Sequence, residues 1–575
     1  MEQLFQPWQL AAEAMYMSRK RVLIVGGVAG GASCAARLRR LDEQAEIFIF
    51  ERGPEVSYAS CGLPYYVGGV ISQRQHLLVA TPERFRDYFR VEVRTRREVR
   101  RIDRQAKTIE VHNVETGAVE IERYDVLVLA PGATPVRPPL PGIDLPGIFA
   151  LRSVQDADRI NAWAAQRRAS QAVVVGGGYI GLEMVENLVR RQMNVTLIEK
   201  LDQLMPAMDP EMVAPLSDEL RRQGVKLRLC CGAKAFERGN DDSILVITDD
   251  NQRIRADLVI LALGVKPDVQ LAEQAGLEIG STGGIRVDEQ MRTSDPHIFA
   301  VGDAVEVTDF VTGRPRLVAL AGPASRQARV AADVICGRPS RYRGAQGTAV
   351  VGVFDLTLAM TGASEKTLRQ EGIAYQKSYT HSPHHASYYP GAQPMTIKLL
   401  FDPDDGRVLG AQIVGRAGVD KRIDVLAMAI QMGATVYDLE QAELCYAPQY
   451  GSARDPVNIA GMAAANIARG DVDVVHWAEL ASLKAADKPL PVVLDVREPA
   501  EVAAAPVPEA VNIPIGELRT RLHQLPSDQE IWAYCAGGQR SYYATRLLQQ
   551  HGLRACNLSG GYRLRKMLGD GLAGQ

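Results

Sequence analysis

Two cysteines carry the chemistry in this sequence, and their settings are unrelated. Cys61 lies in Ser57-Tyr58-Ala59-Ser60-Cys61-Gly62-Leu63-Pro64-Tyr65, and Cys535 opens the loop Cys535-Ala536-Gly537-Gly538-Gln539-Arg540-Ser541. A protein that opens a disulfide unaided needs two thiols, usually spaced CxxxxC. The fifth residue after Cys61 is Tyr66, so Cys61 works alone. A lone thiolate can attack a disulfide or persulfide and hold the mixed disulfide, with the second sulfur brought from outside. Around Cys535 the logic differs. The loop from Cys535 to Arg540 can curl so that successive backbone N–H groups point at the sulfur, and two glycines permit the tight turn. Those dipoles, the N-terminus of the helix that follows and Arg540 favour an anionic sulfur, as in a persulfide.

The elements that position Cys61 open with a strand at Arg21 to Val25, the turn Gly26-Gly27-Val28-Ala29-Gly30-Gly31 and a helix through Leu41. A second strand, Glu46 to Phe50, ends at Glu51, with Arg52 beside it. The pattern recurs at Ala172 to Val175, Gly176-Gly177-Gly178-Tyr179-Ile180-Gly181, a helix to Arg191, and Val195 to Ile198 ending at Glu199. Each turn lets a pyrophosphate approach a helix N-terminus, with a carboxylate about 20 residues on for ribose hydroxyls. Val28 takes the middle glycine position of the first turn, so backbone approach is less free there; the second turn is intact. Glu199 favours NADH because a carboxylate repels a 2′-phosphate; Lys200 beside it leaves NADPH open. Strand-like Val126 to Leu129 leads into Ala130-Pro131-Gly132, and Leu258 to Ala262 into Leu263-Gly264. A later strand delivers Gly302-Asp303, whose carboxylate suits a flavin ribityl hydroxyl. Together these imply FAD and a nicotinamide dinucleotide.

At 575 residues the chain is too long for one core. A net charge of -2 gives no hint of nucleic-acid binding, and no window approaches the ~18 apolar residues of a membrane span. Eight cysteines without disulfide-scaffold or zinc spacing suit a reducing, cytoplasmic setting with no metal; adjacent Cys230 and Cys231 read as structural. Met1 to Met17 lack the charged start of a secretory signal. Trp8 to Tyr16 can form a short helix, in a loose extension or upstream of a start at Met15 or Met17. The fold expected is α/β: an extension (1–18), an FAD-binding Rossmann-like domain (19–150 and 270–340) and an NAD(P)H-binding one (151–269). An α+β dimerisation domain (341–467), a polar linker (468–475) and a compact α/β domain (476–575) follow.

Residues 18 to about 465 resemble the two-dinucleotide-domain flavoprotein disulfide reductases, and within them the coenzyme A-disulfide reductase branch. The resemblance rests on the first glycine turn, Ser57 to Pro64, Asp420-Lys421-Arg422-Ile423-Asp424-Val425 and Tyr446-Ala447-Pro448-Gln449-Tyr450. It implies a homodimer in which coenzyme A is the exogenous thiol, lying along the first helix near Ser33, Arg37 and Arg40 and the cysteine loop near Ser57 and Ser60. Arg37 and Arg40 share a helix face suited to nucleotide phosphates; a solvated basic face with Arg39 is the bland alternative. Two tyrosines of the partner subunit complete the family's site; they match Tyr388 and Tyr446, with Arg454 as the nearby cation, and Tyr389 leaves the first match open by one position. Gln449 replaces a proline common in the motif, and Ser325 stands where the family can place a histidine. NADH oxidases and peroxidases of the same fold also use a lone cysteine but carry a histidine where this chain has Ala29, which argues against that chemistry. A redox-sensing sulfur carrier is the other alternative.

Residues 476 to about 570 resemble a single rhodanese domain, through Leu494-Asp495-Val496-Arg497-Glu498-Pro499, Asn512-Ile513-Pro514, the Cys535 loop and Asn557-Leu558-Ser559-Gly560-Gly561-Tyr562. The glycine-histidine-isoleucine stretch usual before Asn-Ile-Pro is absent. By this reading Cys535 and Arg540 handle sulfane sulfur. Cys61, with Tyr388 and Tyr446, reduces coenzyme A persulfide, coenzyme A disulfide or polysulfide.

Overall fold

The computed structural model describes residues 19–572, so the expected N-terminal extension and its Trp8 to Tyr16 helix lie outside the described residues. The chain forms two compact units. One holds the described residues up to Gly176 with 187–194 and 233–345; the other holds 177–186, 195–232 and 346 onward.

The first unit is built on a parallel sheet in the order Ile298–Ala300, Val126–Leu129, Arg21–Val25, Glu46–Glu51, Glu92–Thr95. Val22, Leu23 and Ile24 are fully buried, as expected of a central parallel strand covered on both faces. The Ala29–Leu41 helix packs against the Ala321–Ile335 helix. Gln171–Val175, Leu258–Leu261 and Ile148–Ala150 form a second parallel set in the same unit. Arg39 is not part of a solvated basic face. Its buried guanidinium donates to the carbonyls of Phe89, Asp42, Glu43, Ala45 and Arg90, tying the helix end to the following turns.

The second unit pairs Asn194–Ile198 with Lys226–Arg228 and contains a five-stranded antiparallel sheet. Its order is Ala349–Val353, Leu356–Gly362, Val408–Gly415, Pro394–Phe401, Gln376–Pro383. A parallel sheet of Val474–Val475, Ala555–Leu558, Ile531–Tyr534, Val492–Asp495 and Val511–Asn512 makes the C-terminal α/β domain. The connecting stretch is shorter than the 468–475 linker expected from polarity. Ala468 closes the Pro456–Ala468 helix, and Val474–Val475 pairs with Asn557 and Leu558.

One charge lies at the centre of this second unit. Lys398, on the Pro394–Phe401 strand, is fully buried, and its Nζ lies 2.8 Å from Asp209, 2.5 Å from Glu211 and 2.6 Å from Glu365. Burial alone would pull its ammonium down, but Tyr379 and the three carboxylates hold it well above its ordinary value. Tyr379 donates its hydroxyl to Glu211 at 2.6 Å, and Lys377 pairs with Glu365 at 2.7 Å. Removing only the lysine leaves acids uncompensated inside the protein. Lys398→Met should therefore cost about 3–5 kcal/mol, read as a fall in the urea midpoint. Beside this cluster His476 is kept neutral. Burial and Lys377 push its imidazole down to about 3, below the ~6.5 of an unfolded chain. Protons are thus drawn to the unfolded form, so stability present above pH ~6.5 drains as the pH falls toward 3. His476→Gln should flatten the dependence of the urea midpoint on pH across that window.

Candidate active sites

The first glycine turn meets the conditions for a dinucleotide phosphate. Val28 caps the Ala29–Leu41 helix without a side-chain hydrogen bond, so no side chain takes up the cap position where a phosphate would sit. Gly26 has φ +93°, and a Cβ there would fall 2.1 Å from the Ala130 carbonyl oxygen. Glu51 stands at the end of the neighbouring strand and accepts from Gly27 N–H and Gly53 N–H, each at 2.8 Å. Arg52 lies 3.4 Å from Asp268. Asp303 follows its strand as expected, and burial raises its carboxyl despite nearby Arg152. Gly302 donates its N–H to the buried Gln327 side chain at 2.7 Å. These residues suit FAD: an open phosphate turn, a ribose acid and an enclosed carboxylate for the sugar chain. Arg152 is the residue that sequence reasoning missed. Its guanidinium faces Gly132, where a Cβ would sit 2.7 Å away, and its charge acts on both Asp303 and Tyr58.

The second turn repeats the device. Gly176 has φ +108°, and Glu199 accepts from Gly177 N–H at 2.7 Å and Leu201 N–H at 2.9 Å. Gly178 has open space where a Cβ would point, so a pyrophosphate can come close. Tyr179 and Ile180 open the Tyr179–Arg190 helix, which carries Gly181.

Cys61 hangs directly from the first turn. Ser57, in the left-handed region at φ +48°, donates its N–H to the Gly27 carbonyl at 2.8 Å. A bridge between Tyr58 and Leu78, with Ala59 N–H donating to Leu77 at 2.7 Å, clamps the loop's other side. Cys61 is exposed, in the Ser60–Gly62 turn that precedes the Leu63–Val67 helix. Ser60 and Arg40 are exposed, while Ser33 and Ser57 are half-buried. Arg37 is the other cation expected to face coenzyme A. Its guanidinium is paired with Asp333 at 2.6 Å, so its charge is already matched within the fold.

Tyr388 and Tyr446 are brought together, their hydroxyls 2.6 Å apart and both rings exposed. That hydrogen bond raises the Tyr388 phenol above its ordinary value, keeping it protonated as a donor. Arg422 positions both loops. Its buried guanidinium meets Asp455 at 2.7 Å and donates to the carbonyls of His384 at 2.7 Å and Tyr450 at 3.4 Å. Tyr389 instead packs edge-on against His385, and Arg454 is exposed ahead of the Asp455 cap.

Cys535 is buried at the end of the Ile531–Tyr534 strand. Its Sγ accepts from Gly538 N–H at 3.1 Å and faces the Ser541 hydroxyl at 3.5 Å, above the Gln539–Gln550 helix. Gly538, at φ +105°, makes the curl. Arg540 does not give its whole charge to the sulfur. Glu501 holds it through two hydrogen bonds, at 2.6 and 2.7 Å, although the guanidinium also faces Cys535.

The family models agree with this arrangement. The pyridine nucleotide-disulphide oxidoreductase model matches residues 20–328, its dimerisation domain 348–456 and the rhodanese-like domain 477–564. The chain belongs to the pyridine nucleotide-disulphide oxidoreductases, with a rhodanese-like domain appended. A coenzyme A disulfide reductase of Staphylococcus aureus is 35% identical over 443 residues, covering 77% of this chain and 99% of that protein. The crystal structure of reduced Bacillus anthracis CoADR-RHD is 46% identical, with TM-score 0.93, covering 96% of this chain and 98% of that one. An NAD-dependent persulfide reductase from A. fulgidus is 38% identical, with TM-score 0.87, over 95% and 99% of the two chains.

The Arg540 pair generates a test. Arg540 holds the Glu501 carboxyl down to about 2, so Glu501 stays charged and offsets the loop's cation at neutral pH. A dianionic donor such as thiosulfate meets that charge. Glu501→Gln should lower the KM for thiosulfate about fivefold, the worth of a partly exposed pair of roughly 1 kcal/mol. Steady-state sulfur transfer to a thiol acceptor measures it.

Proposed function

We propose that this protein is a homodimeric, FAD-dependent reductase that uses NADH to reduce coenzyme A persulfide, coenzyme A disulfide or polysulfide at Cys61, with Cys535 handling sulfane sulfur. The observation that carries the reading is the exposed single thiol of Cys61, tied through Ser57 to the phosphate turn of Gly27. Held by the first glycine turn, Glu51 and Asp303, the flavin would supply the transfer of two electrons from the nicotinamide. The chain's residues do the rest. The Cys61 thiolate attacks a coenzyme A disulfide or persulfide, forming a mixed disulfide and expelling a thiolate or hydrosulfide. Two electrons and one proton then release coenzyme A as the thiol and restore the Cys61 thiolate. Ser33, Arg40, Ser57 and Ser60 are the residues offered to coenzyme A, and the protonated Tyr388 phenol, supported by Tyr446, is the proton donor to the leaving sulfur of the other subunit's site.

The dimer reading is supported by apolar side chains left open on the Val419–Met432 helix, where Met428 is 58% and Met432 69% exposed. Eight free thiols accord with a reducing cytoplasm. No helix among the described residues is long and apolar enough to cross a membrane. Glu199 supports NADH over NADPH.

Anaerobic NADH oxidation against a panel of coenzyme A disulfide, coenzyme A persulfide and polysulfide tests the reading. Cys61→Ser should abolish turnover with all three while keeping the flavin spectrum, and the wild-type protein trapped in turnover should carry coenzyme A on Cys61 by mass. Cys535→Ser should leave coenzyme A disulfide reduction intact. Turnover in the Cys61→Ser protein would overturn the assignment.

A further inference from the structure

We propose that His381, a residue of the antiparallel sheet between the two catalytic regions of the sequence, is a positioning residue for the sulfur-binding loop of Cys535. The proposal rests on the reading that Cys535 carries sulfur.

His381 lies on the Gln376–Pro383 strand, yet its ring faces the C-terminal domain. Its Nε2 is 2.9 Å from the Gly560 carbonyl oxygen and its Nδ1 2.8 Å from the Thr396 hydroxyl. A carbonyl only accepts, so Nε2 carries the proton, and a neutral ring then accepts from Thr396 at Nδ1. Enclosure of the ring pushes the imidazole down to about 4, with Arg563 acting in the same direction, so this tautomer persists at neutral pH.

What His381 grips is the backing of the cysteine loop. Tyr562 N–H donates to the Cys535 carbonyl at 2.8 Å, and Arg563 N–H to that of Ala536 at 3.0 Å. Gly561, at φ +55°, lies so close that a Cβ would stand 2.4 Å from the Cys535 carbonyl and 3.1 Å from the nitrogens of Gly537 and Gly538. Gly538 N–H is the group that meets the Cys535 sulfur. The imidazole also flanks Gly537, 3.6 Å from where a Cβ would sit. A shift at Gly560 therefore moves the Gly538 N–H that supports negative charge on the sulfur. The neighbouring Tyr379 N–H reaches Ser559 Oγ at 3.4 Å and strengthens the same contact. The charged groups near the loop include Arg540 with Glu501, Arg563, and Arg497, which lies over the Tyr562 ring at 4.5 Å.

The test compares His381→Leu with His381→Gln, whose amide can still donate to Gly560, in the full-length holoenzyme. Two readouts are followed: the pH profile of Cys535 alkylation, mapped by peptide mass, and sulfur transfer to a thiol acceptor. In the leucine variant the alkylation profile should move up by about one pH unit and kcat for sulfur transfer should fall about tenfold. The glutamine variant should stay near wild type, and both should keep NADH-driven coenzyme A disulfide reduction. The proposal is overturned if His381→Leu keeps its profile and kcat, if glutamine falls as far as leucine, or if disulfide reduction falls in step. Should Cys535→Ser retain sulfur transfer, the sulfur-carrying reading fails while the alkylation profile still decides the role of His381.

Discussion

The second unit depends on one buried ammonium. Lys398 is shut away from solvent, so three carboxylates from two segments converge on it: Asp209 and Glu211 around the start of the Pro210–Arg222 helix, and Glu365 from the Glu365–Glu371 helix. Each carboxylate would in turn be costly without the lysine. The cluster therefore fixes the register of the strands that carry it, and Tyr379, bonded to Glu211, binds the Gln376–Pro383 strand into the same network. His381 stands two residues along that strand. The precision with which the strand is held is passed on to Gly560 and the loop behind Cys535.

A simpler device governs the nucleotide turns. In both, the acid at the end of the second strand accepts from the N–H of the turn's second glycine: Glu51 from Gly27 and Glu199 from Gly177. That bond shapes the turn before any dinucleotide arrives. In the first turn it has another consequence, because the Gly27 carbonyl receives Ser57 N–H and so locates the cysteine loop. The left-handed Ser57 is part of this arrangement: a residue forced to φ +48° persists only when bonds on both sides hold it.

The parts legible in the sequence were those with local periodicity. The parallel strands and glycine turns stand within a residue or two of where alternation, β-branched runs and helix starts put them, because each is specified by neighbours in the chain. Cys61 and Cys535 were legible as chemical types, and the tyrosine pair only through the family resemblance. Their supports were not. Arg37 looked like a cation awaiting phosphate because its partner, Asp333, lies almost 300 residues downstream. Arg39 looked solvated, yet carbonyls claim it. Arg152, His381 and Glu501 are isolated polar residues whose importance exists only through distant partners, and no spacing rule marks them. Val474 and Val475 read as linker because a two-residue strand leaves no alternation to detect.

The two thiols divide their work by accessibility. Cys61 is exposed, which suits attack on a sulfur carried by a bulky molecule, since the mixed disulfide must be built around both partners. Cys535 is only 2% exposed, and its sulfur meets the Gly538 N–H and the Ser541 hydroxyl. A bulky disulfide cannot close on such a sulfur without moving the loop. A single sulfur atom can be added to it, and it then projects the new terminal atom about 2 Å further outward. The Gly538 N–H supports negative charge at this sulfur. On the proposed assignment, the buried site is the one suited to store and pass sulfur atoms, and the open thiol fastened to the dinucleotide turn is the one suited to reductive cleavage.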